Sequence, residues 1–277
     1  RAWVYYAEKS GFKYIKSEIP LPITSVEEFC QSFWAKATSR TRYVFVSHIT
    51  SPTALIFPIE KIVKEAKARG IKTIIDGAHV PGHIPLDIKA MDPDYYTGAC
   101  HKWLCCPKGV SFLYVRKELQ NAMRPLVFSW GWGKEYNEFN ASTQLHSESR
   151  YVNIFQWQGT RDMSAFLTVP TAIQFQEDYD WDSVRERCQR MIIETRDQIT
   201  VLTDLPKICP DDWLGQMTTI LFPMDDPKQF KNMLYDQYNI EIPVLSDQSH
   251  PMIRVSYQGY NSDTEADYLI ETLKKLI

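Results

Sequence analysis

Two short stretches combine residue types that can do chemistry. In "IKTIIDGAH" a run of apolar residues stops abruptly at Asp76, with His79 three positions on; about 26 residues later "TGACHKWLCC" sets His101 and Lys102 between small residues and cysteines. A lysine at a strand end beside an apolar neighbour such as Trp103 loses proton affinity by desolvation and becomes a nucleophile. A carboxylate at a neighbouring strand end sits where open parallel sheets bind ligands. Plainer roles compete with each reading. Lys102 can be a solvated surface charge, Asp76 can cap the turn before Gly77, and His79 can be a packed loop histidine. Cys100, His101, Cys105 and Cys106 offer soft metal ligands, but adjacent ligands lack the C-x2-C spacing of structural zinc and no second knuckle follows.

The elements that must carry these residues are legible in the flanking patterns. "YVFVSHI" (43–49) is a buried strand, and "TSPTALIFP" is the loop that follows it. Pro58 opens a helix whose Ile59, Ile62, Val63 and Ala66 share one face, and Gly70 closes it. "IKTIIDGAH" is the next strand. Strand, helix and strand in roughly 35 residues make a βαβ unit, hence a parallel sheet with a right-handed crossover. "DYYTGA" and "VSFLYV" are expected as further strands, and "RKELQNAMRP" as a short helix. Residues 126–160, rich in Gly, Ser, Asn and aromatics, read as a long functional loop or interface arm. A helical pattern returns from Ser164 to Leu202, broken near "DYDWDS". Strand "MTTILFP", helix "PKQFKNMLYDQY", strands "IEIPVL" and "MIRVSYQ", and a closing helix N-capped by Asp263 complete the chain. The expected fold class is α/β, with a large domain over 1–163 and a linker helix plus small α+β domain over 164–277.

Composition narrows the partners. With 31 basic and 34 acidic side chains the net charge is -3, which gives no electrostatic case for nucleic acid or anionic membrane. No apolar run reaches the roughly 20 residues of a bilayer span, and "RAWVYYAEKS" lacks the apolar core of a signal peptide. Six irregularly spaced cysteines suit reduced thiols rather than a disulfide framework. A cytoplasmic protein with a small-molecule substrate is expected.

The blocks "VSHITSPTALIFPIEKIV", "IDGAHVPGHIPLDI", "YYTGACHKWLCCPKGVSFLYV", "FQWQGTRD" and "MIRVSYQGYN" together resemble the class V aminotransferase family of fold type I pyridoxal phosphate enzymes, in its isopenicillin N epimerase-like branch. That resemblance implies pyridoxal 5'-phosphate as cofactor, with Lys102 holding it as a Schiff base and Asp76 pairing with the pyridinium. It puts His79 and Ser51 near the phenolic oxygen and His101 at the phosphate. It sends Thr160 to the phosphate of a neighbouring subunit, so a homodimer with shared sites is implied. Arg254 then grips the carboxylate of an amino-acid substrate with two parallel hydrogen bonds.

The chain departs from the family pattern in three places. Ala99 stands where relatives commonly carry serine, with Thr97 and Cys100 as the nearby substitutes. An upstream phosphate loop and a ring-stacking residue, normal in the family, are expected in a segment preceding Arg1. "PVLSDQSHPMIR" holds no cysteine before Arg254, which disfavours cysteine desulfuration. Epimerase, lyase and aminotransferase chemistry stay open. Lys102 is the base for one face of Cα, with His79 and Tyr136 as candidates for the other. A non-catalytic or truncated paralogue that keeps the fold is the alternative.

Overall fold

The computed structural model describes residues 2–129, 149–246 and 251–277. In chain order the elements are α1 (Ala2–Ser10), α2 (Val26–Trp34), β1 (Tyr43–Ser47), α3 (Ile59–Ala68), β2 (Lys72–Gly77), α4 (Ile88–Met91), β3 (Tyr95–Ala99) and β4 (Ser111–Val115). A 3-10 turn over Lys117–Ala122 follows, then α5 (Arg150–Gln156), α6 (Ser164–Leu167), α7 (Val169–Asp178), α8 (Trp181–Thr203), β5 (Met217–Leu221), α9 (Pro227–Tyr238), β6 (Val244–Ser246), β7 (Pro251–Ser256) and α10 (Asp263–Lys274).

The first sheet has the order β1-β2-β3-β4, with β1, β2 and β3 parallel and β4 antiparallel at the edge. Parallel pairing requires the crossover that α3 supplies. Its Ile59, Ile62, Val63 and Ala66 are buried as the periodicity predicts, and burying each larger side chain is worth roughly 1.5–3 kcal/mol. Gly70 adopts φ +68, the left-handed conformation that ends a helix at little cost to glycine. The consequence of parallel order is positional: the C-terminal ends of β1, β2 and β3 lie side by side. Ser47 is in register with Asp76, and Asp76 with Thr97.

The second sheet, β5-β7-β6, is antiparallel. A continuous apolar cluster joins it to the first: Phe29, Ile62, Ile75 and Tyr96 belong to the same buried set as Ile192, Trp213, Ile220 and Ile253. Long α8 packs against β5 and α10.

Several sequence expectations need correction. Ser262, not Asp263, caps α10: its hydroxyl accepts from Glu265 N while the Glu265 carboxylate accepts from Ser262 N at 2.8 Å. This reciprocal pair satisfies two free N–H groups at once, which a lone aspartate does not. The strand expected over "IEIPVL" shrinks to Val244–Ser246, because Pro243 has no N–H for the ladder. The long loop expected to residue 160 contains α5, capped by Ser149; residues 130–148 lie outside the described ones, and Tyr136 with them. The break near "DYDWDS" falls at Asp180, whose φ is 45°. Among the described residues, no helix is long and apolar enough to cross a membrane.

Candidate active site

Three loops leave the ends of β1, β2 and β3 and bring most of the candidate side chains together. Asp76 is the penultimate residue of β2, and its Oδ1 accepts from Ala78 N at 3.0 Å. The turn-capping role is therefore real and uses one oxygen. Oδ2 has no hydrogen-bond partner among the described residues.

Lys102 lies three positions past β3. Its Nζ is 3.1 Å from Nε2 of His79. Burial lowers its proton affinity, Asp76 pulls the other way, and the positive charge of Arg254 adds to the lowering. His79 is pushed down to about 4, first by burial and then by Lys102 and Arg254. It is a neutral ring at neutral pH. Trp103 donates from Nε1 to the other ring nitrogen of His79 at 3.3 Å.

Arg254 arrives from the second sheet, on β7 opposite Thr219. Its Nη1 donates to the Ser51 carbonyl at 2.6 Å and to the Ser51 hydroxyl at 3.1 Å, while Thr219 Oγ1 donates to Pro52 O at 2.8 Å. The loop after β1 is thus tied to the second sheet at two points. Ser51 is engaged with the guanidinium. Arg254 Nε is buried with no partner among the described residues, and burial lowers the group's proton affinity.

His101 spends Nδ1 on the Val110 carbonyl at 3.1 Å, which leaves Nε2 as the ring atom open to a ligand. An N–H on Nε2 as well requires the doubly protonated ring. Thr160 is exposed in the turn after α5, and no hydrogen bond joins it to the cluster among the described residues. Ala99 and Cys100 are buried, Cys100 with Leu104, Cys106 and Val110. Cys105 is exposed, with φ 60. No three His, Cys, Asp or Glu side chains among the described residues are disposed to hold a metal.

Sequence reasoning missed the structural part played by Trp103, His83 and Gln258. Two glycines were the available signal. A Cβ on Gly82 falls 2.5 Å from the Trp103 carbonyl, and one on Gly215 falls 2.5 Å from His83 Nε2.

Parallel strand ends carrying a lysine and a carboxylate, with a guanidinium from a second sheet, suit the architecture of a fold type I pyridoxal phosphate enzyme. The donor set fits that cofactor: an amine for its aldehyde, a free carboxylate oxygen, and a guanidinium with an unpartnered N–H for a substrate carboxylate. The chain belongs to the class V aminotransferase family, whose model ("Aminotransferase class-V") matches residues 21–269. It is 35% identical to isopenicillin N epimerase of Amycolatopsis lactamdurans, an alignment that covers 99% of this chain and 70% of that protein. A probable chloroplastic L-cysteine desulfhydrase of Arabidopsis thaliana is 25% identical over 98% of this chain and 60% of its own length. In fold, the cysteine desulfurase of Thermococcus onnurineus superposes with a TM-score of 0.80 at 18% identity, covering 99% of this chain and 68% of that one. Pyridoxal 5'-phosphate is accordingly the cofactor.

Proposed function

We propose that the protein acts at Cα of an amino acid or amino-acid derivative, by epimerase or lyase chemistry of the isopenicillin N epimerase-like kind. The observation that carries this reading is the convergence of three distant stretches: Lys102 Nζ lies 3.1 Å from His79 Nε2, and the charge of Arg254 reaches both. When bound, pyridoxal phosphate supplies an electron sink for charge developing at Cα. The chain's own residues do the rest. Lys102 would hold the cofactor, and its Nζ, whose proton affinity burial lowers, would take the Cα proton. Asp76, with Oδ2 uncommitted, would hold the proton on the ring nitrogen by opposite charge. Arg254 keeps Nη1 on Ser51 and turns its remaining N–H groups to the substrate carboxylate, which fixes the bond presented to the base. His101 and the Thr160 of a second subunit would hold the phosphate in a homodimer.

Residues 1–163 form the cofactor-binding domain in this reading, and 164–277 the linker helix and small domain. Both ring nitrogens of His79 are occupied, one of them by Lys102 itself, which argues against His79 as an independent acid for the opposite face. Cysteine desulfuration is disfavoured because "PVLSDQSHPMIR" supplies no thiol.

Incubation of the holoenzyme with paired L- and D-amino acids, cysteine conjugates and sulfoxides in deuterated water tests the proposal. Deuterium at Cα with inversion marks an epimerase. Pyruvate and ammonia mark a lyase. Failure to exchange Cα hydrogen or release product on any member of the panel would overturn it in favour of a non-catalytic paralogue.

A further inference from the structure

Trp103 is buried, and its indole N–H donates to Nδ1 of His79. An indole nitrogen donates and never accepts, so Nδ1 must carry a lone pair and the proton of the neutral ring must sit on Nε2. Nε2 in turn lies 3.1 Å from Lys102 Nζ. An ammonium has three donors and no lone pair, so it would face that N–H with another N–H. A neutral amine accepts it. We propose that Trp103 is a positioning residue that holds His79 in its Nε2–H tautomer, and that this tautomer selects the unprotonated amine of Lys102, the form able to attack an aldehyde.

The indole is held in place from several sides. Its ring packs on His83 with centroids 4.1 Å apart, and its carbonyl accepts from Gln176 Nε2 and Gln258 Nε2, each at 3.3 Å. His83 Nε2 accepts from Gln216 N at 2.6 Å, so the proton of that ring is on Nδ1, which donates to the His79 carbonyl at 3.0 Å. A directed series of donors therefore runs from Gln216, beside β5, through His83 to the His79 backbone, and from Trp103 through the His79 ring to Lys102. Gly82 and Gly215 leave the space it needs: side chains there would strike the Trp103 carbonyl and the His83 ring. A tryptophan that merely filled volume would need no such alignment of its N–H.

The cationic groups around the series act in the same sense, and Asp76 opposes them at Lys102. His79 faces Lys102 and Arg254, both of which oppose its protonation; His83 faces His79 and Arg185; Lys102 faces Arg254 and, in opposition, Asp76. Burial first, and these charges after it, keep His79 uncharged near neutral pH, as a singly protonated ring requires.

The inference rests on the reading of Lys102 as the cofactor-bearing amine, but its test is made on cofactor-free full chain and uses no substrate. Failure here is thus separable from failure of the proposed function. Nitrogen-15 spectra of labelled histidine near neutral pH should show the His79 ring protonated on Nε2 alone. Competitive acetylation across pH, read on the Lys102 peptide by mass spectrometry, should place its midpoint below those of surface lysines. In Trp103→Phe the His79 proton is free to move to Nδ1 and Lys102 can donate as an ammonium. Its midpoint should then rise, with about tenfold less labelling at neutral pH for each unit. A wild-type His79 protonated on Nδ1, or on both nitrogens, would overturn the proposal without any variant. So would a folded Trp103→Phe whose tautomer and labelling profile match wild type.

Discussion

Two regions of the molecule each pack a guanidinium among other ionisable groups and treat it oppositely, Arg196 fully buried and Arg254 half-buried. On α8, Arg196 is buried with Asp197 at 2.8 Å and Asp211 as partners, and Lys207 closes the group 2.7 Å from Asp197. Two cations meet two carboxylates there. Burial works against the charge on Arg196, but its bonds to Asp211 and Asp197 outweigh that, and its proton affinity ends up raised. At the strand ends burial is the first cause that lowers the proton affinities of Lys102, Arg254 and His79, and the charge of Asp76 opposes it only in part, at Lys102. Each guanidinium leaves one buried nitrogen unpartnered, Nη1 of Arg196 and Nε of Arg254, so an orphan donor by itself does not mark a binding site. Charge balance separates the two. The charges of the α8 group balance, whereas among the described residues the Arg254 guanidinium is in no ion pair, and a carboxylate-bearing ligand would supply one.

The comparison breaks most visibly at Lys102. Lys102→Ala should lose turnover by a factor on the order of a thousand or more while leaving the melting temperature near wild type, checked by steady-state kinetics and calorimetry. Arg196→Met should do the converse. Leaving its carboxylates without their buried partner costs roughly 3 kcal/mol in denaturant titration, at the low end because both acids are partly exposed, and kcat per folded enzyme should hold.

Acid sharpens the contrast further. His48 is buried against the Tyr96 hydroxyl at 3.0 Å, and burial pushes it down to about 4 from an ordinary 6.5. Its neutral form is the one the fold accepts, so its contribution is full above about pH 6.5 and is lost as pH falls towards 4, up to roughly 3 kcal/mol. Asp197 is held below the usual carboxylate range, so its share is lost only at lower pH. Thermal melts across pH should therefore weaken in the histidine window first, and His48→Gln should flatten that slope. Arg254→Lys removes the planar fork and should lower kcat/KM by about 2 kcal/mol equivalent, roughly thirtyfold, chiefly through KM. Ser51→Ala removes one hydroxyl contact to Arg254 while the carbonyl contact stays, and should cost about 1 kcal/mol in the same measurement.

Much of this arrangement was legible in the chain. The βαβ pattern over 43–77 placed Asp76 at a strand end, and the family-like blocks singled out Lys102, His79 and Arg254. Periodicity reports which face of an element is buried, and those elements obey it. Contacts between distant loops carry no such period. Nothing local to "TSPT" says that Ser51 will meet a guanidinium some two hundred residues on, and nothing in "CHKW" says which way the indole N–H will point. Helix ends are a third case: Ser262 and Asp263 both make acceptable caps, and reciprocal bonding with Glu265 decides between neighbours. Pro243 was visible, and its missing donor should have shortened the strand expected there.

The central claim is that Lys102 is the amine that carries the cofactor. Holoenzyme treated with borohydride, digested and read by mass spectrometry should carry the pyridoxyl group on the Lys102 peptide and on no other lysine. Folded, cofactor-supplied protein with that peptide unmodified, or with the group on another lysine, would contradict the account.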